Sequence, residues 1–279
     1  MLIAPKIKVK YPMSLEREYA RELVKYTRKV RDICKRHIPA MADAALWNAI
    51  HADDWTEEQT EEIDDEITAE EEAAIMLIIL AMFNRVRVFN RRQEEKIFQS
   101  IFGATPQGII QSEYEKIKQI WVNQNIELIH SIKRRTLESI RYVLSANIIR
   151  AVDKEILVKE LSESITQMAK INEKRAVLIA TDQVGKLNSQ LTQLEQMNNG
   201  VKGYLWRSMR DDRVREMHKE YDRQSREGKI FDWEKPPEGG HPGWSYRCRC
   251  IAVPVYDTDK VGIEPKKGFF TRVKEFFGR

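Results

Sequence analysis

Two long helical patterns, from about Ile109 to Arg150 and from about Asp153 to Asn198, restrict what this chain can become more than any other feature, because few strand signals occur before residue 200. Apolar residues that recur at steps of three and four line one face of a helix. Near the N-terminus the same spacing links Leu15, Tyr19, Leu23, Tyr26, Val30, Ile33 and His37, a stripe suited to bundle packing or a short coiled-coil seam, and the helix is expected to stop before Pro39. The residues before it, with Pro5 and Pro12, read as an extended arm, and "GATPQG" at 103–108 breaks the helical pattern with Gly and Pro at both ends. The expected fold is mainly α.

Charge along this region is segregated. Residues 53–72 are dense in Asp and Glu, which reads either as a solvated face or as a patch for a basic partner, whereas Arg85, Arg87, Arg91, Arg92 and Lys96 give a basic surface further along. The net charge is only +4, so the overall balance does not announce a nucleic-acid binder. Between the two charged stretches lies the apolar run "AAIMLIILAMF", far shorter than the roughly 18 residues that suggest a membrane span. It reads as a buried helix segment, and no membrane association is expected of it. With three cysteines, an odd number, and no apolar leader, a reducing compartment is expected and a disulfide framework is not.

Composition changes after "NNG" at 198–200, where Gly200 suits a left-handed helix stop. Tyr204, Leu205 and Trp206 read as a short strand, Ser208 with Asp211 as a helix start, and Val214, His218 and Tyr221 as one inward face of that helix. Asp211 and Arg215, four apart, are placed to pair. "REGKIFDW" turns through Gly228 into a second strand. In "GGHPGWSYRCRC", residues 239–250, an extended backbone projects Cys248 and Cys250 to the same side. Two readings of these thiols stand. With His218 and His241 they make a Cys₂His₂ set for a structural zinc ion, although one intervening residue is an atypical spacing; alternatively both are small hydrophobes packed in a core. No catalytic residue is assigned. His218-Lys-Glu220 followed by C-x-C departs from the H-x-E and C-x-x-C pattern of zinc deaminases, and no phosphate loop, G-x-S-x-G or H-E-x-x-H motif occurs.

Taken in order, "RAVLIATDQVGKLN", "WRSMRDDRVREMH", "GKIF", "HPG" and "CRC" followed by Pro254 resemble the phage Mu F-like head morphogenesis family of minor head proteins. The resemblance puts Trp206, Asp212, Arg213, Arg215, His218, Gly228, Phe231, Pro242, Gly243, Cys248 and Cys250 at the family's signature positions. It implies a structural, non-enzymatic virion component that works with the portal and other head proteins in head assembly, DNA packaging or early genome delivery. Its place would then be the phage head or portal region, with the host cytoplasm as the site of assembly and oligomerisation through the portal. An internal DNA-binding protein ejected with the genome is the alternative, and a zinc-dependent nuclease or deaminase the remaining one. Physically, Trp206 and Phe231 suit a small core, and Asp212 with the arginines suits a tie between helix and loops. Arg213, Arg215, Arg247 and Arg249 suit a basic patch for portal carboxylates or packaged DNA.

In the tail "KKGFFTRVKEFFGR", Phe269, Phe270, Val273, Phe276 and Phe277 fall on one face at helical spacing, with basic residues around them. Such a helix docks in a partner's groove, lies on a membrane surface or docks onto its own chain, and the groove of the portal or a neighbouring head protein is the expected place. The expected organisation is an elongated α-helical region over 1–165, a small α+β head morphogenesis domain over 166–256 and a basic amphipathic tail over 257–279.

Overall fold

A computed structural model describes residues 1–51, 56–150 and 153–273. In chain order the elements are β1 (Leu2–Pro5), α1 (Met13–Arg36), α2 (Ile38–His51), α3 (Thr56–Phe102), α4 (Gln111–Arg150), α5 (Lys154–Asn198), β2 (Gly203–Arg207), α6 (Glu216–Arg226), β3 (Phe231–Asp232), β4 (Ile251–Asp257), α7 (Thr258–Val261) and β5 (Phe270–Arg272). The fold is mainly α with one small antiparallel sheet, as the periodicities require. The stops follow from local chemistry. Gly103 and Gly200 take positive φ after α3 and α5, and the Val201 N–H returns to the Gln196 carbonyl at 3.0 Å, satisfying an end-of-helix acceptor. Pro39 lies in the first turn of α2, where its missing N–H breaks no helical bond.

The chain forms two compact units, one of Met1–Glu16, Met82–Trp121 and Thr181–Arg279, the other of Arg17–Ala81 and Val122–Ala180. In the second, the expected stripe on α1 is inward: Tyr19, Leu23, Tyr26, Val30 and Ile33 are buried, as are Ile63 and Ile67 of α3, Ile129 and Ile132 of α4 and Leu161 and Ile165 of α5. Hydrogen bonds satisfy the polar groups enclosed with them, Tyr19 Oη donating to Asn125 Oδ1 at 2.7 Å and Asn172 Nδ2 to Thr136 Oγ1 at 3.0 Å. The acidic stretch meets cations within this unit. Glu71 pairs with Lys29 at 2.7 Å, Asp64 with Lys133 at 2.8 Å, and Glu66 with Arg36 and His37. Each partly exposed pair contributes no more than about 1 kcal/mol, so these contacts orient helices more than they stabilise them.

The first unit holds the sheet, ordered β3-β2-β4-β1-β5 with every pairing antiparallel. Trp206 lies opposite Ala252, and Ile3 lies opposite both Tyr256 and Arg272. The expected arm before Pro12 is therefore an inner strand. Pro254 stands within β4 because β1 pairs with β4 at Tyr256 and Asp257, which leaves Pro254 a ladder partner only on the β2 side. Phe98 and Phe102 of α3 meet Tyr256 edge-on, at centroid distances of 5.9 and 5.3 Å. The tail departs from the helix its spacing suggests. Phe270–Arg272 form β5, because the free edge of β1 offers backbone groups that an extended segment can pair. Val273 is buried, Phe270 packs partly buried against the core and Phe269 is exposed, while Phe276 and Phe277 lie outside the described residues.

A polar layer joins α3 to α5. Asn90 bonds Asn188 and Thr192 at 2.8 Å each, Glu195 pairs with Arg91 at 3.0 Å, and Gln196 accepts from Trp233 Nε1 at 3.1 Å while donating to Glu94 at 3.3 Å. Burial pushes the Glu94 carboxyl up to about 8, and the neighbouring Glu195 adds to the shift while Gln196 and Arg91 oppose it. The folded protein therefore keeps a proton that the unfolded chain releases above about 4.5, so this group costs up to about 1.4 kcal/mol per pH unit as pH rises from there to about 8. Glu94→Gln is expected to lose less thermal stability than the parent between pH 5 and pH 8 by scanning calorimetry. Parallel curves for the two proteins would show that Glu94 ionises freely in the fold.

Candidate metal centre

The site is built on α6, β2 and the loop before β4. His218 is buried on the inner face of α6, its ring 4.9 Å from that of Trp206. The helix starts later than the Ser208–Asp211 pattern suggests, with Arg215 at its N-cap and no side-chain cap. The two expected starting residues serve other ends. The Ser208 N–H donates to Asp222 Oδ1 at 3.2 Å, and Asp211 pairs with Arg249 at 2.8 Å and Arg213 at 3.1 Å, not with Arg215. Partial burial works against the Asp211 carboxylate, but Arg213 and Arg249 prevail and hold it below the usual range. Arg215 instead donates to the Tyr246 carbonyl at 2.8 Å. Asp212, expected to tie the helix to the loop, is exposed, and it is Asp211, in the segment before α6, that pairs with Arg249 next to the cysteines.

The loop reaches the site through turns at Gly239, Gly240 and Gly243 and a positive φ of 57° at Arg247. Cys248 and Cys250 lie outside the strand expected for them, in the segment between the turn at Arg247 and the start of β4 at Ile251, yet both sulfurs approach His218. Their Sγ atoms are 3.5 and 3.6 Å from His218 Nδ1. These three residues are buried, and all their ligand atoms lie within 4.8 Å of one another. Both cysteines are free thiols. Within the trio, a hydrogen bond from Cys250, reinforced by His218, draws the Cys248 thiol pKa down, while the same bond to Cys248 drives that of Cys250 up. The Gly243 N–H also approaches Cys248 Sγ at 3.4 Å, and His218 Nε2 is buried without a hydrogen-bond partner among the described residues. A trio of one imidazole and two thiols at this spacing could bind a metal ion.

His241 stands apart from the trio. Its Nδ1 is 2.8 Å from Tyr204 Oη, its ring packs with Trp233 and Trp244, and burial holds its pKa below the ordinary histidine range. Of the other signature residues, Trp206 and Phe231 are buried in the sheet core, Gly228 takes φ 106° after α6, Arg213 and Arg215 flank the trio, and Pro242 and Gly243 make the turn onto α5.

Three residues of α5 that the sequence reading did not single out hold the loop in place. A Cβ on Gly185 would lie 2.7 Å from the Cys248 carbonyl oxygen, and one on Gly243 would lie 2.9 Å from the Gly185 oxygen. Asp182 accepts from the Arg247 N–H at 2.9 Å, and Ser189 donates to the Pro242 carbonyl. A glycine in the middle of a strong helical pattern was the available signal, since it lowers helix propensity and marks a close backbone approach.

A helical protein carrying a small antiparallel sheet, with a buried imidazole–thiol trio between helix and sheet, is the class that fold and site define. Residues 143–253 match the family described as Phage Mu protein F like protein, which bears out the resemblance in the sequence over the stretch that holds α5, α6 and the trio. An uncharacterized protein of Haemophilus influenzae is 39% identical over 137 residues, 49% of this chain and 29% of the relative, so the chain spans less than a third of that protein's length. No solved structure matches the chain.

Gly185→Ala is expected to destabilise the protein by about 1–3 kcal/mol, because the Cys248 backbone must move to admit the methyl group. Denaturant unfolding checks this, and an unchanged midpoint would mean that the loop is not seated on α5.

Proposed function

We propose that the protein is a structural minor head protein of a tailed bacteriophage, acting with the portal and other head proteins in head assembly, DNA packaging or early genome delivery. The observation that carries this reading is the family match over 143–253, which takes in β2, α6, β3 and the trio. On this reading the protein resides in the virion, at the head interior or portal, and oligomerises by joining the portal. The exposed Phe269 and the tail beyond it supply a contact for a neighbouring head protein. The trio serves as a clamp closed by zinc. What supports zinc is spacing: bonds of about 2.3 Å to sulfur and 2.0–2.1 Å to nitrogen in a tetrahedron set N···S at roughly 3.5 Å, beside the 3.5 and 3.6 Å found here.

Quantitative mass spectrometry of purified particles tests the role. The full chain is expected in heads in small amount relative to the main shell protein, and a chain truncated after Lys267 is expected to be missing. Absence of the full chain from both mature and unpackaged heads refutes the assignment, and normal incorporation of the truncated chain refutes tail docking.

One observation favours the second reading, an internal DNA-binding protein ejected with the genome. A cavity of about 730 Å³ in the sheet-bearing unit is lined by Lys8, Lys10, Arg85, Arg92 and Lys96 over apolar Val88 and Phe89, and no carboxylate lines it among the described residues. Five phosphate contacts would make log K fall with log salt at a slope of about −4.5. Fluorescence anisotropy with duplex DNA reads that slope, and salt-independent binding would remove this reading.

A further inference from the structure

The cavity beside the trio has chemistry that a structural clamp alone does not need. It measures about 250 Å³, and His218, Cys248 and Cys250 all line it. A water molecule's share of liquid volume is about 30 Å³, so the space admits a larger group. Its wall also carries Arg213, Arg215, Arg247 and Arg249.

A tetrahedral zinc ion needs four ligands, and a site with three protein donors keeps one position for an outside group. The trio supplies three, and it is the one such group among the described residues. Other candidates for a fourth are engaged elsewhere, Asp211 with Arg213 and Arg249, Asp222 with Arg210 and Arg226, and His241 with Tyr204. Two thiolates neutralise a divalent ion, so the field in the cavity is set by four guanidiniums against the one lining carboxylate, Asp211. That field attracts an anion. Guanidinium forks match carboxylates in plane, and the apolar Met209 and Val214 on the same wall suit an anion carried on methylene groups better than one polar on every side.

We propose that the fourth coordination position of a metal ion held by His218, Cys248 and Cys250 opens into this arginine-lined cavity and accepts a carboxylate side chain from a partner protein. The proposal rests on the zinc reading of the trio, and the test separates the two. The trio would then act as a receptor for an acidic residue, with the arginines orienting what the metal holds.

Cobalt(II) supplied in the growth medium in place of zinc gives the full-length protein a visible probe. Thiolate-to-metal charge transfer and intense d–d bands from one cobalt per chain are expected, and their loss in Cys248→Ser assigns them to the trio. Butyrate, a carboxylate on methylenes, is then titrated in parallel with inorganic phosphate. Butyrate is expected to shift the d–d bands saturably, with an apparent Kd raised at least several-fold by Arg247→Asn, which removes a guanidinium while keeping a residue tolerant of positive φ. Absence of cobalt bands in the parent overturns the metal reading and the proposal together. Bands that butyrate leaves unmoved overturn the open position alone, and a tighter response to phosphate than to butyrate overturns the carboxylate assignment.

Discussion

The approach of one loop backbone to one helix sets the geometry of the site. At Gly185 the chain of α5 comes so near the Cys248 carbonyl that no side chain fits between them, and Gly243 repeats this one turn of loop earlier against Ser189 and the Gly185 oxygen. Because Asp182 receives the Arg247 N–H and Ser189 reaches the Pro242 carbonyl, the loop is held at both ends of the contact. With the backbone fixed there, both sulfurs lie within 3.6 Å of His218 Nδ1. The trio thus follows from a packing constraint on α5, some sixty residues away in sequence.

Packing and ligation make different demands of such a trio. Small buried thiols are ordinary core residues, but an imidazole among them is not at rest: among the described residues His218 Nε2 finds no hydrogen-bond partner, and Nδ1 meets two weakly bonding sulfurs. A buried polar group left unpaired costs about 1–3 kcal/mol. A divalent ion would take up the charge that two deprotonated thiols bring into an enclosed site, and would use Nδ1 as a full donor. The electrostatics thus favour ligation.

How much of this was legible in the sequence depended on whether the information was local. Helices α1, α4 and α5 stand within about two residues of where periodicity puts them, and Tyr204–Trp206 and Phe231 lie in strands as their composition suggests. His218 could be placed inward because its face is fixed by spacing to Tyr221 alone. The failures were non-local. Phe270–Arg272 have the spacing of an amphipathic helix, yet an open edge on β1, at the far end of the chain, draws them into an extended strand. The same pairing makes a strand of the arm at Leu2–Pro5. Asp211 had an i+4 partner in Arg215 only on the assumption that the helix already ran there; with α6 starting at Glu216, the carboxylate turns to Arg249 on the facing loop. His241 was credited to the metal set because histidine near cysteines suggests a ligand, and nothing in the sequence revealed that the Tyr204 hydroxyl would lie 2.8 Å from its ring nitrogen.

Two buried carboxylates make the site rigid, and rigidity bears on what it can do. Asp182 on α5 ties the Arg247 N–H on one side of the trio and pairs with Lys186 at 2.7 Å; Asp222 on α6 ties the Ser208 N–H on the other and pairs with Arg210 at 3.2 Å. Each bond runs from a helix to the backbone of a flanking segment, and charge-assisted bonds to enclosed carboxylates are among the stronger ones available to a fold. Ligands held this way lose little freedom when an ion arrives, so binding energy is not spent on ordering the loop. The same fastening keeps Arg249 against Asp211 at the cavity wall, which leaves the neighbouring exposed Arg247, its backbone fixed and its side chain lining the cavity, as the group free to meet a visiting anion.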